Sequence, residues 1–153
     1  MRRASAEGAF AASVPEAETL WYDTARWQGW IDGLSRVTDV EGDWPAGGAK
    51  VTWESNPAGR GHVVERVVSY EPRVGQTLEV QDDSIRGRQS VAFSALDGGV
   101  GVELTLEYEL KARSLLTPAV DVLFIRRAMT ASLQSTLARF GAELAGAGTG
   151  TRA

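Results

Sequence analysis

An α+β fold is predicted: a seven-stranded antiparallel sheet curved around a long C-terminal helix, with a short helix pair after the first strand. Three observations predict it. Residues 100–110 alternate strictly, with Val100, Val102, Leu104, Leu106, Tyr108 and Leu110 apolar and Glu103, Thr105, Glu107 and Glu109 polar between them. Alternation with period two puts one oily face and one acidic face on a strand. A wide apolar helical stripe follows and lasts almost to the end of the chain. Between the ends lie short strand-like runs separated by turn chemistry, and short links between strands imply antiparallel pairing.

The elements follow in order. Residues 3–13 alternate enough for a first strand. Ser13-Val14-Pro15-Glu16 then reads as a helix start. Ser13 caps, Glu16 holds the reciprocal capping-box position, and Pro15 is tolerated in the first turn. Ala17, Leu20, Trp21 and Thr24 share one face of this helix, which is expected to end near residues 23–25. A second short helical piece is expected over residues 27–34, limited by Gly29 and Gly33. Strands are predicted at 36–41, 49–55, 60–70, 76–81, 87–96 and 100–110. Their breaks are Trp44-Pro45-Ala46-Gly47-Gly48, Asn56-Pro57-Ala58-Gly59, Glu71-Pro72-Arg73-Val74-Gly75, Asp82-Asp83-Ser84 and the hairpin turn Asp97-Gly98-Gly99. Thr117 is read as the cap of the last helix and Pro118 as its first residue. Val122, Ile125, Met129, Leu133, Leu137, Phe140 and Leu144 form the stripe, with Val120, Phe124 and Ala128 on its flank. From 118 to 145 the helix would be about 40 Å long. A single domain over residues 1–145 is expected, with 146–153 as a flexible C-terminal tail.

Composition bounds the function. The 153 residues suit one core, with 43% apolar and 24% charged residues and a net charge of −4. No basic run tracks phosphates, so nucleic acid is not an expected partner. The absence of cysteine removes disulfides, thiolate metal sites and a thiol nucleophile, and it fits a cytoplasmic setting. No apolar run is long enough to span a bilayer, and Arg2-Arg3 has no apolar segment behind it of the kind a secretory signal needs. Oligomeric state is left open.

This order of elements, with its local sequence, resembles the START/Bet v 1-like (SRPBCC) helix-grip superfamily. Within it the chain is similar to the bacterial polyketide cyclase/dehydrase and lipid transport family. The resemblance is carried by Val14-Pro15-Glu16-Ala17-Glu18 with Leu20-Trp21, and by Asp23-Thr24-Ala25-Arg26-Trp27-Gln28-Gly29-Trp30. Gly48-Ala49-Lys50-Val51, Val67-Val68-Ser69-Tyr70-Glu71-Pro72 and the closing amphipathic helix add to it. It covers nearly the whole chain. It implies a helix-grip fold with an internal apolar cavity. The activities it implies range over aromatase/cyclases, lipid and quinone carriers and hormone receptors.

Few residues offer chemistry. His62 is the only histidine, and without a second imidazole or a thiolate no metal site is expected. There is no Gly-x-Ser-x-Gly elbow. Gly59-Arg60-Gly61 lacks the third glycine of a dinucleotide motif, so no cofactor is expected. Along residues 60–70, His62, Val64, Arg66, Val68 and Tyr70 share one face, and Val63, Glu65, Val67 and Ser69 share the other. If the first set faces the interior, Arg66 can bind an enolate oxygen, Tyr70 can donate a proton and His62 can act as base, which is what a ring-closing aldol or dehydration needs. The alternative places His62 and Arg66 on a wet rim beside acids. Aromatase/cyclases resembling this chain carry a functional arginine shortly before the proline that ends this strand. Anchored on Pro72, Tyr70 holds that place here, and Arg66 stands where an aromatic residue is expected. Trp30 matches an aromatic lining residue of that group.

The expected cavity lining is Trp27, Trp30, Val51, Trp53, Val64, Val68, Tyr70, Val91, Phe93, Leu104, Leu106, Tyr108, Phe124, Met129 and Leu133. Trp27 and Trp30 either form an aromatic lid for a flat ligand or simply pack. Three functions compete. The first is binding or carriage of a hydrophobic small molecule, whether lipid, quinone or polyketide-like. The second is a polyketide aromatase/cyclase or dehydratase. The third is a protein-interaction module with a filled core. Interior volume separates the first from the third. The facing of His62, Arg66 and Tyr70 separates the first from the second, and Tyr70 at least is expected to face inward.

Overall fold

The computed structural model describes residues 1–57, 59–111 and 119–150, the side chains of 119–124 and 148–150 excepted. Its elements run β1 (Arg2–Phe10), α1 (Val14–Trp21), a 3₁₀ segment (Thr24–Gly29), β2 (Leu34–Glu41), β3 (Lys50–Ser55), β4 (His62–Glu71), β5 (Gly75–Gln81), β6 (Ile85–Leu96), β7 (Gly99–Leu110) and α2 (Ala119–Gly150). The seven strands form one sheet in the order β1-β7-β6-β5-β4-β3-β2, and every neighbouring pair is antiparallel. This is the helix-grip arrangement.

β7 carries the alternation that predicted it. Val100, Val102, Leu104, Leu106, Tyr108 and Leu110 are all buried, while Glu103, Glu107 and Glu109 are exposed. On α2, Leu133, Leu137, Phe140 and Leu144 are buried, with Ile125 and Met129 partly buried against the same core. Ala128 faces outward instead of flanking the stripe. Thr117, Pro118 and residues 151–153, together with the side chains of Val120, Val122 and Phe124, lie outside the described residues. α2 continues to Gly150, five residues past the expected end of the domain at Ala145.

The capping box at Ser13 forms as read. Glu16 N–H donates to Ser13 Oγ at 3.2 Å, and Ser13 N–H donates to Glu16 Oε1 at 3.1 Å. The accepted hydrogen bonds hold the Glu16 carboxyl below its usual range. The second helical piece starts earlier than expected, because Asp23 caps it by accepting from Ala25 N–H at 3.2 Å. It ends before Gly33, whose φ of +77° turns the chain into β2. β2 is an edge strand, and its pairing with β3 is broken by two register shifts.

β4 holds the main departure. Val63, Glu65 and Val67 face the core, and His62 and Arg66 are exposed. The register then slips: Val67 pairs with Leu78 but Ser69 pairs with Thr77, so Val68 is the surplus residue of a β-bulge. One extra residue reverses the phase. Before Val68 the odd positions point inward, and after it the even ones do. Tyr70 is therefore turned inward, half-buried against the Tyr22 ring at 5.4 Å between centroids. Val68 itself is 42% exposed.

Candidate functional site

The interior between the sheet and α2 is built first from aromatic rings. Trp21 stacks at a tilt on Trp30 with centroids 4.8 Å apart, and Phe140 of α2 meets both Trp21 and Trp30 edge-on at 5.1 Å. Trp27 packs edge-on to Trp30 at 6.5 Å and to Trp44 at 5.4 Å. Edge-to-face geometry of this kind is favourable beyond the area it buries. Trp27 donates its indole N–H to Trp21 O at 2.7 Å, and Trp44 donates to Tyr22 O at 2.8 Å. These tryptophans pack on one another, so much of the space a lid would have covered is occupied.

What remains is a cavity of about 40 Å³ among the described residues. It is lined from the 3₁₀ side by Trp27, Trp30, Ile31 and Asp32, and from the sheet by Trp53, Arg60, Glu65, Gln76, Leu78, Gln89 and Leu104. Trp21 of α1 and Ser132, Leu133 and Thr136 of α2 complete it. That volume holds one or two waters, far short of a ligand cavity of several hundred cubic ångströms.

The lining is more polar than the sequence led one to expect. Glu65 is 4% exposed, and burial pushes its carboxyl pKa up, against the smaller pull of the Arg60 charge and the Trp53 indole. Trp53 Nε1 nevertheless does not reach hydrogen-bond geometry with any partner. Arg60 gives its Nε–H to Asp82 Oδ2 at 2.7 Å, an ion pair whose acid is almost wholly buried. The guanidinium also lies over the Trp53 ring, with Cζ 5.5 Å from its centroid. Gln76 donates from Nε2 to Pro45 O at 3.0 Å. Four side-chain polar atoms of lining residues are buried with no hydrogen-bond partner among the described residues: Trp30 Nε1, Trp53 Nε1, Arg60 Nη2 and Gln76 Oε1. Buried polar groups are nearly always paired, so these four atoms depart from the usual pattern of a protein interior.

A clasp of hydrogen bonds joins Asp32 to α2 along the cavity lining. Asp32 N–H donates to Thr136 Oγ1 at 3.0 Å, and Ser132 Oγ donates to Asp32 Oδ2 at 2.8 Å. Farther along α2, Arg26 pairs with Glu143 at 2.8 Å. All of these tie the segment around the 3₁₀ turn to one side of α2.

The expected lining divides accordingly. Trp27, Trp30, Trp53, Leu104 and Leu133 line the cavity. Val51, Val91, Phe93, Leu106 and Tyr108 are buried, and Met129 partly so, but they pack in the core around it. The Phe124 side chain lies outside the described residues. Two expectations on β4 are corrected: Val64 and Val68 do not point into the interior, because Val63, Glu65 and Val67 take the inward face of the strand. Of the two placements open to His62 and Arg66, the outward, wet one holds and the inward, catalytic one does not. His62 is exposed, 3.9 Å from the Glu54 carboxylate. Val64 and Arg66 line an open concavity of about 390 Å³ on the outer face, beside Glu79, Arg86, Arg88 and Glu109. Its charges answer each other across strands, Arg86 with Glu109 at 2.9 Å and Arg88 with Glu79 at 3.8 Å, as on a solvated sheet face. His62, Arg66 and Tyr70 therefore do not converge.

Sequence reading missed Arg60, Glu65 and Gln76. The signal for Glu65 was its place between Val63 and Val67, which are as apolar as the alternative pair Val64 and Val68. For Arg60 and Gln76, each the first residue of a predicted strand, no sequence signal separated inward from outward.

The comparisons with known proteins agree with this architecture. A conserved protein from Geobacillus kaustophilus superposes with a TM-score of 0.71 at 11% identity, over 94% of this chain and 95% of that one. A START superfamily protein from Mycobacterium smegmatis gives 0.69 at 15% identity, over 93% and 96%. A truncated norcoclaurine synthase from Thalictrum flavum gives 0.67 at 10% identity, over 92% and 91%. At such identities the likeness shows the fold alone. No curated protein matches the chain. The family model for polyketide cyclase/dehydrase and lipid transport matches residues 1–145. With its sheet gripping α2 as in the START superfamily protein, the chain belongs to the polyketide cyclase/dehydrase and lipid transport family.

Proposed function

We propose that the chain binds a small hydrophobic molecule between the sheet and α2. The observation that carries this reading is that Trp30, Trp53, Arg60 and Gln76, which all line one cavity between aromatic rings and polar side chains, each hold a buried polar atom with no hydrogen-bond partner among the described residues. Each such atom costs about 1–3 kcal/mol when left without a partner. A ligand that answers them recovers that cost. With only about 40 Å³ free, a ring-sized guest enters by parting the clasp of Asp32 with Ser132 and Thr136. These rim contacts are few and polar, whereas the ring cluster beneath them is extensive, so the rim opens first.

Native mass spectrometry of protein purified without added ligand tests the reading. A retained apolar passenger, or saturable binding of an apolar fluorescent probe that quenches tryptophan emission, is the expected result. A bare mass together with no saturable binding overturns it and favours a filled interaction module.

A second reading, polyketide cyclisation or dehydration, is favoured by Glu65. A buried carboxylic acid in an aromatic interior is suited to giving a proton to a carbonyl oxygen. It would act in place of the exposed His62 and Arg66. Turnover by the wild type that disappears in Glu65→Gln, with binding retained, would support it.

A further inference from the structure

Glu65 has apolar neighbours on both sides in its own row of the sheet. It stands across from Val51 on β3 and Val80 on β5, both buried. Its polar company comes from the diagonal. Trp53 lies opposite Val63, two residues before Glu65 on the same inward face, a spacing that long side chains span. Arg60 lays its guanidinium on that same indole. One side of the guanidinium is pinned: Nε donates to Asp82 Oδ2, while Asp82 Oδ1 accepts the backbone N–H groups of Ser84 and Ile85 at 2.8 and 2.9 Å. Its other side, Nη2, is buried and unpaired among the described residues, as is Trp53 Nε1. Glu65, Trp53 and Arg60 all line one cavity. The charged groups there are Arg60, with Asp82 behind it, Asp32 and Glu65 itself. The lining from α1 and α2 (Trp21, Ser132, Leu133, Thr136) and from β5 and β6 (Gln76, Leu78, Gln89) adds no charge. With every acid ionised, three negative charges would stand against one positive, and a proton on Glu65 relieves that excess.

We infer that Glu65 is a proton-operated latch: protonated, it leaves Trp53 Nε1 and Arg60 Nη2 open on the cavity wall; ionised, it draws both donors onto its carboxylate and closes that wall. Hydrogen bonds to a carboxylate are shorter and about twice as strong as those to a neutral group, so the two donors are held firmly only in the ionised state. Pinning by Asp82 orients the guanidinium beforehand, and the Asp82 bond survives the change because it uses Nε rather than Nη2. Burial opposes ionisation while Arg60 and Trp53 favour it. Burial prevails and raises the carboxyl pKa. The proton therefore leaves above the ordinary carboxylate range, and the latch engages on the alkaline side. Its effect on a guest rests on the binding reading above. Entry is favoured while Glu65 keeps its proton, because closure occupies two donors of a cavity with only about 40 Å³ free.

The test follows the indole N–H signals of the five tryptophans by NMR on isotope-labelled protein, from mildly acidic to mildly alkaline pH and with no ligand added. The Trp53 signal, assigned by its loss in Trp53→Phe, is expected to move downfield in one step with a midpoint above 4.5. Glu65→Gln is expected to abolish the step. Arg60→Lys, with folding confirmed by near-ultraviolet circular dichroism, keeps the charge and loses Nη2. It is expected to raise the midpoint by about one pH unit, a tenfold change in proton affinity. A neutral apolar probe, N-phenylnaphthylamine, is then titrated on both sides of the midpoint. The wild type is expected to bind it at least about tenfold more tightly on the acid side, and Glu65→Gln equally on both. A Trp53 signal without a step, or a step that survives Glu65→Gln, overturns the latch. A midpoint that stays or falls in Arg60→Lys overturns the part given to Nη2. Equal probe binding on both sides in the wild type overturns the hold on a guest. Failure of the probe to bind at any pH counts against the binding reading, and the indole signal still decides the latch.

Discussion

Glu18 of α1 holds Arg73 of the β4–β5 turn by two atoms at once. Its Oε2 accepts the Arg73 backbone N–H and its Oε1 accepts the guanidinium, each at 2.8 Å. The carboxylate is 4% exposed, and Arg73 sits at φ 69°, a left-handed conformation uncommon outside glycine. The contact thus fixes the helix to the sheet and stabilises a strained turn.

Glu18→Ala is expected to cost about 2–3 kcal/mol, since hydrogen bonds to a charged partner are worth about 1.5–3 kcal/mol each and are not additive. Arg73→Gly is expected to cost about 1 kcal/mol or less, because glycine accepts the positive φ and keeps the N–H. Urea midpoints at an unchanged slope check both. Equal losses would show that the guanidinium, not the backbone bond, is the anchor.

Glu65 ties stability to pH. Its folded-state pKa is raised above 4.5 by burial, so the folded chain binds its proton more tightly than the unfolded chain does. That contribution is complete below 4.5 and is lost as pH rises through the folded-state value. Arg60, with Asp82 behind it, and Asp32 are the charged groups sharing its cavity. Glu65→Gln removes the titration. The variant is expected to melt above the wild type near neutral pH, with the gap closing in acid. A gap that is constant across the range would place the proton elsewhere.

Gly141 of α2 faces the Phe10 ring. A Cβ built there would lie 2.5 Å from Phe10 Cε1, and Phe10 is itself held edge-on to Phe140 at 5.6 Å. Overpacking of this kind costs about 1–3 kcal/mol. Alanine in place of glycine returns about 1 kcal/mol of helix propensity. Gly141→Ala is therefore expected to be neutral to destabilising by about 2 kcal/mol. In a Phe10→Leu background the sign reverses, to a gain of about 1 kcal/mol. A double-mutant cycle by denaturant melts reads the difference.

Asp32→Ala removes the acceptor for Ser132 and Ser135 and leaves the Asp32 N–H bond to Thr136 in place. A loss of about 1 kcal/mol in global stability is expected. The local effect is larger: amide protons of residues 27–34 should exchange faster, while those of β7 keep their protection. Uniform loss of protection would mean that the rim does not open on its own.

The sequence was most legible where one face is oily and the other charged. β7 could be read to the residue, because reversing its phase would bury Glu103 and Glu107 and expose Leu104 and Leu106. The capping box at Ser13 and Glu16 was equally plain, since it depends on local spacing alone. β4 was different. Val63 and Val64, and again Val67 and Val68, offer valine to both faces, so neither phase is ruled out by apolarity. The surplus residue at Val68 is set by pairing with β5, which no local pattern reveals. It is why Tyr70 turns inward although His62 and Arg66, its partners by simple alternation, do not. The tryptophans were legible as interior residues but not as one another's packing partners, because their meeting depends on how α1, the 3₁₀ segment and α2 converge.

The free margin at β2 has a bearing on how these molecules behave in a crowd. An incoming extended segment from a neighbour would need an unbroken row of amides and carbonyls to zip onto. Along Leu34–Glu41 it meets Arg36, Asp39 and Glu41 on a strand whose own pairing is twice out of step. Such irregular, charged borders resist fibril-like stacking, so the sheet can keep one side unpartnered without recruiting copies of itself.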